Sequence, residues 1–126
     1  MLKILFVDDE PGLVDVGVKM LTALGYEPNS YTDPSKALAA FLSTPGSFNM
    51  VITDQKMPGM SGCELAVQIL EMRPDIPILI CSGYDDEMTR EHYIKLGIRG
   101  FLPKPVSMAG LSKSLDGIFS SKTRNM

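Results

Sequence analysis

Hydrophobic residues along this chain alternate between short runs suited to β-strands and longer segments with helical spacing. Five runs predict strands, at residues 2–7, 26–31, 48–53, 76–81 and 98–102, the second of them being the weakest. The first, third and fourth runs are almost continuously apolar, as expected of strands that are covered on both faces. Five strands alternating with five helical segments predict an α/β fold, a parallel sheet with helices packed on its faces.

The helical segments carry both apolar faces and start signals. Apolar residues recur at helical spacing on the first and last of them: Val14, Val18 and Leu21, then Leu111, Leu115, Ile118 and Phe119. Asp33 precedes Pro34, which suits the first position of a helix, and Ser61 with Glu64 forms a capping-box pattern. These signals mark the starts of the second and third helices.

Composition limits the classes of protein to consider. A length of 126 residues with 44% hydrophobic residues predicts one domain, which we place at 1–120, followed by a polar tail at 121–126. The net charge of −3 gives no basic surface for direct binding to nucleic acid. The apolar start at 2–7 is too short for a signal peptide or a membrane span. Cys63 and Cys81 lack the spacing of metal ligands, and we expect reduced thiols in a cytoplasmic protein without membrane insertion.

Polar residues follow four of the predicted strands. In chain order they are Asp8, Asp9 and Glu10, then Asp54, then Ser82, then Lys104. The carboxyl ends of parallel strands lie at one edge of a sheet, and ligands of open α/β sheets bind beyond that edge. We therefore expect these side chains to converge.

The chemistry of the converging groups indicates a metal and a phosphoryl group. Carboxylates at close range repel one another, and oxygen ligands of this kind suit Mg²⁺. Lys104 supplies a positive charge and Ser82 a hydroxyl donor, so the set matches the needs of phosphoryl transfer to a carboxylate. Two simpler interpretations stay open: the acids at 8–10 cap the first helix, and Ser82 caps a helix near the acidic residues 85–87.

Four motifs, taken together, resemble a known family. They are Val-Asp-Asp-Glu at 7–10, Asp-Gln-Lys-Met-Pro-Gly-Met-Ser-Gly at 54–62, Ser-Gly at 82–83 and Lys-Pro at 104–105. Over residues 2–119 the chain resembles the receiver domains of bacterial two-component response regulators. The resemblance implies a flavodoxin-like (CheY-like), doubly wound, five-stranded parallel sheet of order 2-1-3-4-5 with (βα)5 connectivity.

The resemblance also implies roles for the acidic residues and the lysine. Asp54 is the expected phosphoacceptor and, with Asp9, a direct ligand of Mg²⁺. Asp8 is expected to act on the metal mainly through water, and the backbone carbonyl of Lys56 to ligate it as well. Lys104 is expected to bind the phosphoryl group.

Further roles concern the response to phosphorylation. Ser82 is the expected switch hydroxyl, and Phe101 occupies the position of the aromatic switch residue, where many family members have Tyr. An alternative for Phe101 is a purely structural aromatic on an edge strand. Lys56 and Tyr84 border the path of an attacking water and are expected to tune the lifetime of the phosphoryl group. The Lys104–Pro105 bond is expected to be cis.

The resemblance implies a phosphorelay switch and not an enzyme, a protein expected to catalyse only its own phosphorylation and dephosphorylation. We expect a histidine kinase or phosphotransfer protein as phosphodonor, and an output domain or partner on the face formed by the fourth helix, fifth strand and fifth helix. The expected state is a monomer or a phosphorylation-dependent dimer. The chain is either a stand-alone regulator or a module of a hybrid sensor histidine kinase or longer regulator.

Two other functions fit the motifs less well. A phosphatase with an aspartyl-phosphate intermediate needs a second acid two residues after its nucleophile, where this chain has Lys56. A nucleotide or flavin binder needs a first loop that cradles phosphate, whereas the acids at 8–10 repel phosphate.

Overall fold

The computed structural model describes the backbone of residues 1–83 and 89–124, and the side chains up to residue 119. Its strands are β1 (Lys3–Val7), β2 (Glu27–Tyr31), β3 (Met50–Asp54), β4 (Ile78–Ser82) and β5 (Gly100–Pro103). Its α-helices are α1 (Pro11–Ala23), α2 (Pro34–Ser43), α3 (Gly62–Met72), α4 (Arg90–Leu96) and α5 (Met108–Arg124). The strands form one parallel sheet of order β2-β1-β3-β4-β5, which confirms the predicted fold class.

Two hydrophobic cores lie on the two faces of the sheet. One packs α2, α3 and α4 against it and contains Phe41, Leu65 and Tyr93. The other packs α1 and α5 and contains Leu21 and Leu115. All residues of β3 are buried, which confirms the prediction of a central strand covered on both faces.

Element ends differ from the sequence prediction by one or two residues. β3 and β4 end at Asp54 and Ser82, one residue later than predicted. β5 begins at Gly100 instead of at residue 98, because the Ile98 N–H donates 3.0 Å to the Tyr93 carbonyl and so belongs to the end of α4. The helix α5 continues to Arg124, beyond the start of the predicted tail at 121.

Both predicted helix starts are confirmed. The Asp33 carboxylate accepts from the Ser35 N–H at 2.9 Å, and the Ser61 hydroxyl accepts from the Glu64 N–H at 3.1 Å. The Glu64 carboxylate in turn accepts from the Ser61 N–H at 3.4 Å, which completes the capping box. Each such cap stabilises a helix by about 1 kcal/mol.

Two smaller findings bear on the type of protein. Cys63 and Cys81 are buried free thiols, as predicted. Within the described residues, none of the helices combines the length and apolar character that crossing a membrane requires.

Candidate functional site

The register of the sheet brings the predicted site residues to one edge. Val7 pairs with Thr53, so Asp8 on the first loop lies beside Asp54 at the end of β3. Asp54 pairs in turn with Cys81, next to Ser82 at the end of β4. Adjacent parallel strands that end level with one another thus deliver their polar residues to a common point, as the sequence predicted.

A buried ion-pair cluster occupies that point. The Lys104 ammonium lies 3.0 Å from Oδ2 of Asp54 and 3.7 Å from Oδ2 of Asp8. Both aspartates are only 5% exposed. The remaining oxygen of Asp8 accepts from the Glu10 N–H at 3.0 Å, which fixes the loop after β1. Each buried carboxylate therefore has a charged partner, as burial requires.

Burial and the ion pair shift the pKa values of Asp54 and Lys104 in opposite directions. Burial is the largest influence on Asp54 and raises the pKa of its carboxyl, while the hydrogen bond and charge of Lys104 lower it. For Lys104, burial lowers the pKa, but the hydrogen bond and charge of Asp54 outweigh burial and leave the pKa raised. Lys104 therefore remains a cation near neutral pH. Burial raises the pKa of the neighbouring Cys81 to about 12, so its thiol stays protonated.

The cluster has the donor set of a site for a hard cation. One carboxylate oxygen from each of Asp8, Asp9 and Asp54 lies within 4.8 Å of the other two. The Lys104 ammonium contacts two of the three, Asp8 and Asp54, so this group of four residues combines three carboxylates with one ammonium. Oxygen-only ligands with excess negative charge fit Mg²⁺, which prefers a few carboxylates and keeps room for water and phosphate oxygens.

A cavity of about 210 Å³ opens onto the carboxylates of Asp9 and Asp54. It is lined by Asp9, Glu10, Asp54, Gln55, Lys56, Ser82, Gly83 and Lys104. This volume admits a group of phosphate size beside Asp54. Tyr84 and the acidic residues 85–87, to which the sequence analysis gave possible roles, lie outside the described residues.

The two predicted switch residues lie on neighbouring strands. Ser82 and Phe101 are half-buried and line a second cavity, of about 290 Å³, together with Arg90 and Tyr93. The Phe101 ring packs against Tyr93 with 5.3 Å between ring centroids, and the Arg90 guanidinium lies 5.2 Å from the centroid of the Phe101 ring. Phe101 thus contacts the core, as its structural interpretation expected, and also faces open space. The Lys104–Pro105 bond is cis, as expected.

Sequence reasoning missed two residues near the site. Gln55 was quoted only as part of a motif, yet it is buried and its side-chain oxygen accepts from the Cys63 N–H at 2.9 Å. A polar residue directly after a fully buried strand was the available signal. Arg90 was not singled out either, and no local pattern links it to Phe101, because the two residues meet only in the folded chain.

Comparison with known proteins agrees with this geometry. The model of the family described as response regulator receiver domain matches residues 4–116. The chain is 32% identical over 123 residues to the chemotaxis protein CheY-3 of Vibrio cholerae, covering 94% of this chain and 92% of that protein. It is 31% identical over 121 residues to the putative two-component response regulator ARR21 of Arabidopsis thaliana, covering 96% of this chain but only 19% of that protein. The crystal structure of a response regulator receiver domain protein from Clostridium thermocellum superposes with a TM-score of 0.93 at 28% identity, over the full length of both chains.

Proposed function

The chain belongs to the response regulator receiver domain family, and we propose that Asp54 is the residue on which it accepts a phosphoryl group in a two-component phosphorelay. The observation that carries the proposal is the environment of the Asp54 carboxylate. It is buried at a strand end, 3.0 Å from the Lys104 ammonium and within 4.8 Å of the carboxylates of Asp8 and Asp9. The match over residues 4–116 supports our assignment of residues 1–120 to the receiver unit.

In the proposed reaction, an oxygen of Asp54 attacks the phosphorus of a phosphohistidine or of a small phosphodonor. The new P–O bond forms an acyl phosphate while the bond from phosphorus to the leaving group breaks. The leaving group keeps the electron pair: the histidine nitrogen of a phosphohistidine takes a proton from solvent, whereas the acetate of acetyl phosphate leaves as the anion. Lys104, already at hydrogen-bond distance from Asp54, neutralises charge on a phosphoryl oxygen.

The acidic residues serve a different purpose from the lysine. Asp8, Asp9, Asp54 and the carbonyl of Lys56 would hold Mg²⁺, whose charge offsets the repulsion between carboxylates and an incoming phosphoryl group. The excess of carboxylates over ammonium groups in the cluster supports this assignment. Lys56 and Tyr84 would tune the access of water to the acyl phosphate.

Phosphorylation would be read out through Ser82 and Phe101. A phosphoryl oxygen on Asp54 offers an acceptor to the Ser82 hydroxyl, which lines the same cavity as Asp54. Movement of Ser82 enlarges the space in front of Phe101, and the ring then moves inward. This biases the face formed by α4, β5 and α5 toward an output domain or partner protein, as a monomer or a phosphorylation-dependent dimer.

The proposed phosphodonor is a histidine kinase or a phosphotransfer protein, and the membership of the chain in the response regulator receiver domain family supports this proposal. A phosphatase remains the less favoured function. The exposed residue two positions after Asp54 is Lys56, which does not supply the second acid that such an enzyme needs.

Intact-mass measurement with a small phosphodonor such as acetyl phosphate tests the proposal. We expect one phosphoryl adduct in the presence of Mg²⁺ and none in excess chelator. Asp54→Asn should show no adduct, whereas Asp15→Asn, at an exposed aspartate on α1, should label like the wild type. Full labelling of the Asp54→Asn protein, or equal labelling without Mg²⁺, would contradict the assignment.

A further inference from the structure

Gln55 makes hydrogen bonds through its backbone N–H, its backbone carbonyl and its side chain. It is only 8% exposed and lies directly after Asp54. Its backbone N–H donates to the Cys81 carbonyl at 3.1 Å, and its backbone carbonyl accepts from the Gly62 N–H at 2.9 Å. Its side-chain oxygen accepts from the Cys63 N–H at 2.9 Å. Main chain and side chain together thus join the end of β3 to β4 and to α3.

Two of these hydrogen bonds provide acceptors for the first N–H groups of α3. The first N–H groups of a helix have no partner within the helix and need acceptors from elsewhere. Here Gln55 accepts from Gly62 and Cys63, while the Ser61 hydroxyl accepts from Glu64. Gln55 therefore supplies two of these three acceptors, one of them through its side chain. As a result, both ends of the segment 56–61 are tied to a single residue.

The start of α3 is also in direct contact with the phosphoacceptor. A Cβ atom at Gly62 would collide with the backbone carbonyl of Asp54 and press on Gln55. Little space therefore separates the helix start from the end of β3. Loss of the bonds between Gln55 and the start of α3 would therefore reach Asp54 and the segment that begins with Lys56.

We propose that Gln55 is a positioning residue: its side-chain amide latches the segment 56–61 to α3 and so orients the Asp54 carboxylate and the Lys56 carbonyl for Mg²⁺. This inference rests on the proposed function, because it assigns Gln55 a task at the same site. It gives Gln55 no contact with metal or phosphoryl group. The latch acts by raising the fraction of molecules in which the cation ligands are in place.

The expected effect follows from that fraction. Without the side-chain acceptor, the Cys63 N–H loses its 2.9 Å hydrogen bond to Gln55, and the start of α3 opens more readily. The apparent dissociation constant of a ligand rises in inverse proportion to the competent fraction. We expect Gln55→Met, which keeps the length but lacks the acceptor, to bind Mg²⁺ about tenfold more weakly, or about 1.4 kcal/mol.

The experiment measures Mg²⁺ affinity by calorimetric titration and amide hydrogen exchange at Cys63 by NMR, in the complete chain. Gln55→Met should show weaker binding and faster exchange at Cys63. Gln55→Glu retains an acceptor oxygen at the same reach and should restore slow exchange. Gln55→Asn is one methylene shorter and should behave like Gln55→Met, which provides a second variant if the Met protein does not fold.

Ser61→Ala is the matched control, because it removes a hydrogen bond from the same helix start without touching Gln55. We expect it to lower the melting temperature while Mg²⁺ affinity stays within about twofold of wild type, since the Gln55 bonds persist. Wild-type Mg²⁺ affinity in both Gln55→Met and Gln55→Asn would overturn the latch. An equal loss of Mg²⁺ affinity in Ser61→Ala and Gln55→Met would also overturn it. In either case Asp54 labelling in the wild type would leave the proposed function standing. Absence of Mg²⁺ binding to the wild type would overturn both.

Discussion

Two neighbouring regions at the carboxyl edge of the sheet are built in opposite ways. We call them the acceptor cluster, consisting of Asp8, Asp9, Asp54 and Lys104, and the switch region, consisting of Ser82, Arg90, Tyr93 and Phe101. In the acceptor cluster, Asp8 and Asp54 are 5% exposed and share one ammonium. In the switch region, Ser82 and Phe101 are half-buried beside a cavity of about 290 Å³.

This difference in burial and packing indicates which region of the fold can move. Separating buried charges leaves each one without its partner at a large energetic penalty, so the acceptor cluster holds its arrangement. The Phe101 ring contacts Tyr93 and Arg90, each contact being worth about 1 kcal/mol, and among the described residues it also lines a cavity. Charge organises the proposed phosphoacceptor site, whereas weak contacts and a cavity leave the proposed readout adjustable.

The largest effect is expected on removing the one cation of the acceptor cluster. Lys104→Met should slow phosphorylation of Asp54 about 100- to 1,000-fold, the usual loss when a charge-stabilising group is removed. Mg²⁺ affinity should not fall, because the carboxylates then lack a competing positive charge. Initial labelling rates by intact mass and a Mg²⁺ titration measure the two effects separately.

Lys113→Met, at an exposed position on α5, is the control and should label at the wild-type rate. A parallel loss of Mg²⁺ affinity and labelling in Lys104→Met would show that the lysine maintains the shape of the cluster. The contrast between a charge-organised site and a loosely packed readout would then no longer hold.

The next effect concerns the metal and the stability of the cluster. Because Mg²⁺ binds the native state, it should raise the free energy of unfolding by about 2.7 kcal/mol at a concentration 100 times its dissociation constant. Asp9→Ala should reduce this gain more than Asp8→Ala does, since Asp9 is the proposed direct ligand. Thermal denaturation across a Mg²⁺ series measures the gain, with Asp15→Ala as the control. An unchanged melting temperature at saturating Mg²⁺ would count against the metal site.

A smaller effect is expected in the switch region, where the coupling of phosphorylation to the face of α4, β5 and α5 should lie in the range of about 5- to 150-fold that is usual for allostery. Ser82→Ala should still accept phosphate at Asp54 but lose most of the response of residues 98–102. Phe101→Tyr should keep that response, because the aromatic ring fills the cavity and the hydroxyl that Tyr adds is not needed for that. NMR shift changes on adding beryllofluoride, a phosphoryl mimic, compare the two variants. The same response in Ser82→Ala as in wild type would disprove the coupling.

The smallest effect is expected at Arg90. Its guanidinium lies over the Phe101 ring, and an exposed contact of this kind contributes about 0.5–1 kcal/mol. Arg90→Ala should therefore change the population of Phe101 ring positions by about two- to fivefold without changing Asp54 labelling. Lys95→Ala removes another cation from α4 and serves as the control. Ring resonances of Phe101 that are identical in Arg90→Ala and wild type would show that the guanidinium does not hold the ring.

The sequence alone predicted the fold and the components of the acceptor cluster. The apolar runs and helical faces indicated a parallel α/β sheet, and strand ends occupied by acids and a lysine indicated convergence at one edge. Asp33 and Ser61 marked their helix starts for the same reason: a cap bonds a backbone group two or three residues away. The strand order came from the resemblance and not from the pattern.

The contacts between different helices and strands depend on the tertiary structure and could not be predicted from the sequence. Gln55 reaches Cys63 eight residues away, across a loop whose path depends on how α3 packs beside β3. Arg90 meets Phe101 because α4 lies over β5, and β5 starts at Gly100 because Ile98 is bonded to the end of α4. Periodicity and capping act over a few residues and can be read along the chain. A side-chain contact between elements depends on the distances and angles of their packing, which no short stretch of sequence contains.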